Sequence, residues 1–328
     1  MKENRIVVTY DPGEDGRDLL ERMLGSSARL VFLQDVPETR RATELSAADV
    51  LLSWHPSSEL RSGEWAEISG VRLIQLISAG ADHVPFSDLP ARVEISTNAG
   101  AYAEPMAEHV LAMTLALSKR LLAQHDKLSR GEFDQGSPNR TLRGTTCGVL
   151  GFGGIGHATA RLMRAMGARI YALNRSGQSQ EPAEFIGTLD DLEHVLRASD
   201  VVVVALPLNG ATRGLIGARE LEWMKADAIL INVARGEIID EEALYAHLVS
   251  HPRFFAGIDA WWVEPVRHGR FAMGHPFLDL PNVIGSPHNS AGGGAWRDQY
   301  LRRAVQNCRR AILGETPWNL IGSDERVL

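Results

Sequence analysis

Short apolar runs, each rich in Val, Ile or Leu and bounded by polar, Gly or Pro positions, recur along the first hundred residues at 5–9, 30–33, 50–53, 73–77 and 93–96. Runs this short and continuous fit strands buried on both faces of a parallel sheet. Helix-like stretches such as 16–24 lie between them. That βαβ rhythm predicts an open α/β sheet. The pattern then changes to one long helix over 104–128, with Val110, Leu111, Met113, Thr114, Leu117, Leu121 and Leu122 on a broad apolar face and Pro105 near its start, where proline is tolerated. A face that wide fits a core helix between domains or a contact with a second copy. The polar stretch 131–144 is a loop. A second βαβ series follows, with strands predicted at 146–150, 169–173, 201–205, 228–233, 255–259 and 283–286, and the pattern ends on a helix over 295–313.

Composition narrows the function classes. A chain of 328 residues fits two domains. Charged residues at 23% and hydrophobic ones at 44% describe an ordinary folded protein rather than a disordered one. The net charge of −7 argues against gripping nucleic acid or an anionic membrane, which runs on clustered cations. Two cysteines, Cys147 and Cys308, cannot build a disulfide framework and point to a reducing compartment. The apolar run near the N-terminus is too short for a signal peptide, and no stretch approaches a membrane span. A cytoplasmic protein is the expectation, and no metal site is read.

The glycines are more informative. Gly151, Gly153 and Gly156 spell G-x-G-x-x-G between a short apolar strand and a helix whose buried stripe is Ile155, Ala158, Leu162, Ala165 and Met166. In that setting Gly151 permits a tight turn, Gly153 lets backbone approach a pyrophosphate, and Gly156 lets helix and strand pack closely. The helix start, at Gly154 and Ile155, offers free N–H groups and a partial positive charge to that pyrophosphate. At the end of the next strand, NAD-binding folds usually carry an acid for the ribose 2′-hydroxyl. Here Asn174, Arg175 and Ser176 stand instead. They offer donors and a cation that a 2′-phosphate would use, so NADP(H) is expected over NAD(H), with NAD still possible.

Three later strand ends carry polar groups: Arg235 after the 228–233 run, Glu264 after 255–259 and His288 after 283–286. Open α/β sheets bind ligands at the carboxyl ends of their strands. Reducing a ketone by hydride requires an oriented substrate and a proton donor. Arginine's planar fork suits a carboxylate, and histidine titrates near neutrality. A carboxylate on the second ring nitrogen fixes the tautomer and favours the charged ring.

With these residues in hand, the chain resembles the D-isomer-specific 2-hydroxyacid dehydrogenase family. The segment 205–216 (Ala-Leu-Pro-Leu-Asn-Gly-Ala-Thr-Arg-Gly-Leu-Ile), the arginine segment 232–244, the Ser286-Pro287-His288 triplet and Ala107-Glu108-His109 carry the resemblance. It implies a Rossmann cofactor domain (101–288) inserted into a discontinuous, flavodoxin-like substrate domain (1–100 and 289–328), both doubly wound parallel sheets, and a crevice that closes over substrate. It implies a homodimer built on the long helix. It further implies that Arg235 binds a small 2-keto acid such as glyoxylate or hydroxypyruvate, that His288 is the acid/base and Glu264 its partner. Pro207 and Asp259 would contact the cofactor, Asp259 near the nicotinamide carboxamide. The backbone of Ala79 and Gly80, within Ser78-Ala79-Gly80-Ala81-Asp82, would bind the substrate carboxylate.

Three departures stand out. The family often has Val-Phe-Glu-Pro-Glu-Pro after the aspartate, whereas Ala260-Trp261-Trp262-Val263-Glu264-Pro265 follows Asp259 here. The loop 266–274 reads as an insertion, either a surface loop or a lid. Asn289-Ser290-Ala291-Gly292-Gly293-Gly294 differs from the usual Ile-Ala-Gly. Trp54 and His55, after the third strand, read as structural rather than ligand-binding. Two competing readings are a dinucleotide-sensing, corepressor-like binding protein with the same fold, and a methyltransferase. The intact Arg/Glu/His set favours the enzyme, because a binding module has no need of a proton donor.

Overall fold

The computed structural model describes residues 3–25, 27–90, 92–292 and 297–322. The chain divides into two compact units, Met1–Tyr102 with Gly293–Leu328, and Ala103–Gly292. The first unit holds β1 (Arg5–Val8), β2 (Arg29–Phe32), β3 (Val50–Ser53), β4 (Leu73–Leu76) and β5 (Glu94–Ser96). They form one parallel sheet in the order β2-β1-β3-β4-β5. This is the flavodoxin-like order, and its direction of growth reverses between β1 and β3. The helices Gly13–Leu24 and Arg297–Ile312 pack on this sheet. Leu301, Ala304, Val305 and Cys308 join Ile6, Val8, Val50 and Leu52 in one buried cluster. The last helix thus belongs to the first unit. Its predicted start at Ala295, and Gly293 and Gly294 of the preceding loop, lie outside the described residues.

The second unit is a seven-stranded parallel sheet built from β6 (Thr146–Leu150), β7 (Arg169–Leu173), β8 (Phe185–Gly187), β9 (Val201–Val204), β10 (Ile229–Asn232), β11 (Phe255–Ile258) and β12 (Val283–Gly285). The order is β12-β11-β10-β9-β6-β7-β8. This is the Rossmann arrangement, with its switch point between β6 and β9. Every residue of β9 is buried, as double-faced coverage by helices requires. The edge strand β8 is absent from the hydrophobic pattern. Three residues, Phe185-Ile186-Gly187, give too short a run to register as a period.

The long helix is two helices, Ala103–Ser118 and Leu121–Ser129. Between them Arg120 adopts φ 54°, in the left-handed region. The cause is a competing partner: Arg140 N–H donates to the Ser118 carbonyl at 3.0 Å, and Lys119 Nζ to the Arg140 carbonyl. The 131–144 loop therefore takes the carbonyl end of the first helix and turns the chain. After the break Leu121, Leu122 and Leu128 face solvent at 56%, 58% and 56% exposure. No helix among the described residues is long and apolar enough to cross a membrane.

Candidate active site

The glycine turn sits where β6 meets the helix Gly154–Ala165. Gly151 has φ 101°, and a Cβ there would lie 2.5 Å from the Ala205 carbonyl oxygen, at the end of neighbouring β9. A Cβ on Gly156 would lie 2.2 Å from the Gly151 oxygen. Both positions exclude any side chain by contact with backbone. Gly153 is different: a Cβ there meets nothing within 4 Å. It opens onto free space at the helix N-terminus, where Gly153 caps the helix without a side chain. The turn thus fits a dinucleotide pyrophosphate, with backbone accessible where the phosphates must approach and the helix's first N–H groups aimed at them. Gly154 is exposed and Ile155 half-buried at the same spot, and Pro207 is exposed beyond β9.

At the end of β7, Asn174 is half-buried and Arg175 and Ser176 are exposed. Asn174 is engaged locally. Its Nδ2 donates to the Gln178 carbonyl at 2.7 Å, and its Oδ1 accepts the Ser176 N–H at 3.1 Å. Its side chain shapes the turn that presents Arg175 and Ser176.

Arg235, Glu264 and His288 all belong to the second unit, beyond β10, β11 and β12. His288 Nδ1 donates to the Glu264 carboxylate, 2.8 Å from each oxygen. Nδ1 therefore carries a proton, and Nε2 takes no part in this pair. The ring is one-third exposed, at 33%, while the Glu264 side chain is buried at 10%. Burial of Glu264 opposes its ionisation. The hydrogen bond and charge of His288, the Trp261 N–H and the Arg235 charge outweigh it, and hold the carboxyl below its ordinary range. Arg235 is half-buried. Its segment is clipped by Asn232, whose Nδ2 donates to the Arg235 carbonyl at 2.9 Å and whose Oδ1 accepts the Ala234 N–H at 3.1 Å.

His288 itself has φ 49°, a left-handed conformation that costs about 1–3 kcal/mol in a non-glycine residue. Asp259 maintains it. The Asp259 backbone carbonyl accepts the His288 N–H at 3.0 Å. Its carboxylate, with no exposed surface, accepts the Ser286 hydroxyl and the N–H groups of Asn289 (3.1 Å) and Ser290 (3.3 Å). His109, from the helix Ala103–Ser118, reaches the Ser286 hydroxyl with Nε2 at 2.9 Å. The resemblance points to Asp259 as a cofactor contact; in the structure its carboxylate is bonded into the turn that carries His288. Sequence reasoning misses the place of His109 in this network. The Ala107-Glu108-His109 motif is the one signal that could have found it.

Trp262, standing where a glutamate was expected, stacks on Phe277 (5.3 Å between centroids, 14°) and donates its indole N–H to the Ile239 carbonyl at 2.7 Å. The 266–274 loop is tied to its own unit. It begins in a helical turn, Pro265–His268, and Arg267 pairs with Glu237 at 2.8 and 3.0 Å. Gly274 N–H donates to Glu241 at 2.7 Å.

In the first unit, Ala79 and Gly80 follow β4 and are half-buried, and the Ser78 hydroxyl closes onto the Gly80 carbonyl at 2.8 Å. Trp54 lies edge-on between Tyr10 and Tyr300, at 5.8 and 5.9 Å. The N–H groups of Trp54 and His55 both end on the Glu59 carboxylate. Away from these segments, Glu222, His247 and His251 bring donor atoms within 4.8 Å of one another. The two imidazoles stack face to face (4.1 Å, 20°), and His251 Nδ1 meets the His247 carbonyl. His247 Nδ1 lies 3.4 Å from the Glu222 carboxylate.

The profile of the D-isomer specific 2-hydroxyacid dehydrogenase NAD binding domain matches residues 111–290. A glyoxylate/hydroxypyruvate reductase B from Salmonella schwarzengrund is 30% identical over 294 residues, which cover 87% of this chain and 88% of that protein. A glyoxylate reductase from Aeropyrum pernix is 29% identical, with 99% of this chain and 97% of the relative covered. A D-isomer specific 2-hydroxyacid dehydrogenase from Xanthobacter autotrophicus, solved in complex with NADPH and MES, is 26% identical with a TM-score of 0.81, covering 98% of each chain. On these likenesses the chain belongs to the D-isomer specific 2-hydroxyacid dehydrogenase family.

Proposed function

We propose that the protein interconverts a small 2-keto acid and the D-2-hydroxy acid, with NADP(H) as the preferred cofactor. The observation that carries this reading is the Glu264–His288 pair, a proton-exchanging imidazole backed by a buried carboxylate. Arg235 stands beyond the adjacent strand in the same unit as the glycine turn. The nicotinamide, when bound, supplies or accepts the hydride. Arg235 holds the substrate's carboxylate and carbonyl in its planar fork. His288 Nε2 gives a proton to the carbonyl oxygen in reduction and removes one from the hydroxyl in oxidation. Ala79 and Gly80, in the first unit, are the further candidates that the family resemblance offers for a substrate carboxylate. Printed names of the relatives, glyoxylate/hydroxypyruvate reductase B and glyoxylate reductase, favour substrates of that size. The test is a panel of 2-keto acids, from glyoxylate and hydroxypyruvate to longer ones, assayed with NADPH and NADH. No keto-acid-dependent oxidation of either cofactor sinks the reading and leaves a dinucleotide-sensing module in its place.

NADP preference rests on Arg175 and Ser176, exposed at the end of β7 with no acid beside them in sequence. NADPH is expected to exceed NADH in kcat/KM by about tenfold or more, the worth of one charge-assisted phosphate contact. Arg175→Ala should lose most of that ratio by weakening NADPH alone. A wild-type preference for NADH refutes the assignment. The exposed Leu121, Leu122 and Leu128 support a homodimer, since an apolar patch of that kind is normally covered by a partner.

Coupling between Glu264 and His288 is open to test as well. The contacts that hold the Glu264 carboxyl below its ordinary range keep it ionised, so both of its oxygens can accept from His288 Nδ1. Glu264→Gln removes that charge and one of the two acceptors. It is expected to lower kcat by about tenfold, the effect of one charge-assisted hydrogen bond, with cofactor affinity unchanged. A wild-type kcat contradicts the pairing.

A further inference from the structure

Trp261 touches all three segments that carry the proposed chemistry. Its backbone N–H donates to Glu264 Oε1 at 2.7 Å. Its indole Nε1–H donates at 2.8 Å to the carbonyl of Ser286, just ahead of Pro287 and His288. On a third side lies the Arg235 segment. A Cβ on Gly236 would come within 2.4 Å of the Trp261 carbonyl carbon and 2.5 Å of Trp262 N, so only glycine lets that backbone lie against the Trp261–Trp262 peptide. Space for the indole is made the same way, since a Cβ on Gly285 would stand 2.8 Å from Trp261 Cζ2. The side chain is buried, with only 4% of the residue exposed, and Phe271 and Phe277 meet it edge-on.

We propose that Trp261 is the positioning residue that sets Arg235, Glu264 and His288 in register, and that its indole N–H, rather than its volume, carries the role. The proposal rests on the catalytic reading above. The N–H is a donor with no acceptor alternative, and it ties the strand end leading to His288 to the segment that ends in Glu264. A phenylalanine fills much of the same space and keeps the backbone bond to Glu264, but it leaves the Ser286 carbonyl without its indole partner. The loop carrying His288 then has one anchor fewer, and the ring spends less time with Nδ1 shared between both Glu264 oxygens. A support that orients a reacting group acts on turnover rather than on cofactor affinity.

The test is Trp261→Phe in the full chain, with steady-state kinetics in both directions and NADPH titrated by fluorescence. We expect kcat to fall about 5- to 10-fold, the effect of one lost hydrogen bond. The KM for the 2-keto acid and the NADPH affinity should both stay within about twofold, because the change acts on the orientation of His288 rather than on binding. Wild-type turnover overturns the proposal. So does a fall in kcat with an equal loss of keto-acid or NADPH affinity, because loosened packing alone gives that result. Should Trp261→Phe not fold, Trp261→benzothienylalanine carries the same expectation, since a sulfur in place of the indole N–H keeps the bicyclic volume and removes the donor. A wild-type protein with no keto-acid activity removes the catalytic reading and this proposal with it, whereas with an active wild type the outcome bears on Trp261 alone.

Discussion

His288→Gln is expected to lower kcat by about three orders of magnitude, within the usual range for losing a general acid/base, with NADPH affinity unchanged. Glutamine keeps a side-chain N–H that can meet Glu264, but it has no atom that can take up and release a proton near neutral pH. The loop around it should survive the change. Its left-handed turn is held from Asp259, through the His288 backbone N–H, the Asn289 and Ser290 N–H groups and the Ser286 hydroxyl, and none of these bonds uses the imidazole. The glycine turn depends on backbone contacts between Gly151, Gly156 and Ala205, so cofactor binding should be unaffected. Steady-state kinetics with a fluorescence titration of NADPH decide the matter. A variant within about tenfold of wild-type kcat would falsify the acid/base role, since a proton donor contributes at least about a hundredfold.

What the chain discloses before folding depends on how local the signal is. Buried parallel strands advertise themselves: Val201–Val204 and Thr146–Leu150 are continuous apolar runs because both faces are covered. The predicted runs 201–205 and 255–259 overshoot their strands by one residue, at Ala205 and Asp259, where the chain leaves the ladder. Gly151 and Gly156 are legible because backbone leaves no room for a side chain at either, and Gly153 is legible only through its spacing from them. Arg235, Glu264 and His288 are legible because strand ends on one edge of an α/β sheet converge. Long-range competition is not legible. The helix break at Arg120 comes from Arg140 taking the Ser118 carbonyl, twenty-two positions away. Asn174 looks like a ligand donor by composition, but its amide is used within its own turn. Trp261 looks like a hydrophobic variant of a motif. Its indole bond to Ser286 joins positions 25 residues apart, which no local period records.

Arg235→Ala should cut kcat/KM for the 2-keto acid by about a thousandfold, raising KM and lowering kcat together. Two charge-assisted bonds, one to the carboxylate and one to the carbonyl oxygen, contribute about 3–4 kcal/mol, which sets that scale. Both constants should move because the fork does two jobs: it captures the carboxylate and fixes the carbonyl for attack. The Arg235 charge is the smallest of the influences that hold the Glu264 carboxyl low, and Glu264 stays ionised without it through its bonds to His288 and Trp261. The dyad therefore stays in place as kcat/KM collapses. Arg235→Lys restores the charge without the planar fork, and should recover part of the KM but little of the kcat. The Asn232 clip on this segment uses backbone atoms of Ala234 and Arg235, so it persists in both variants. If Arg235→Ala retains wild-type kcat/KM, Arg235 is not the anchor. If kcat falls with KM unchanged, the arginine acts mainly through the dyad and substrate capture must be assigned elsewhere.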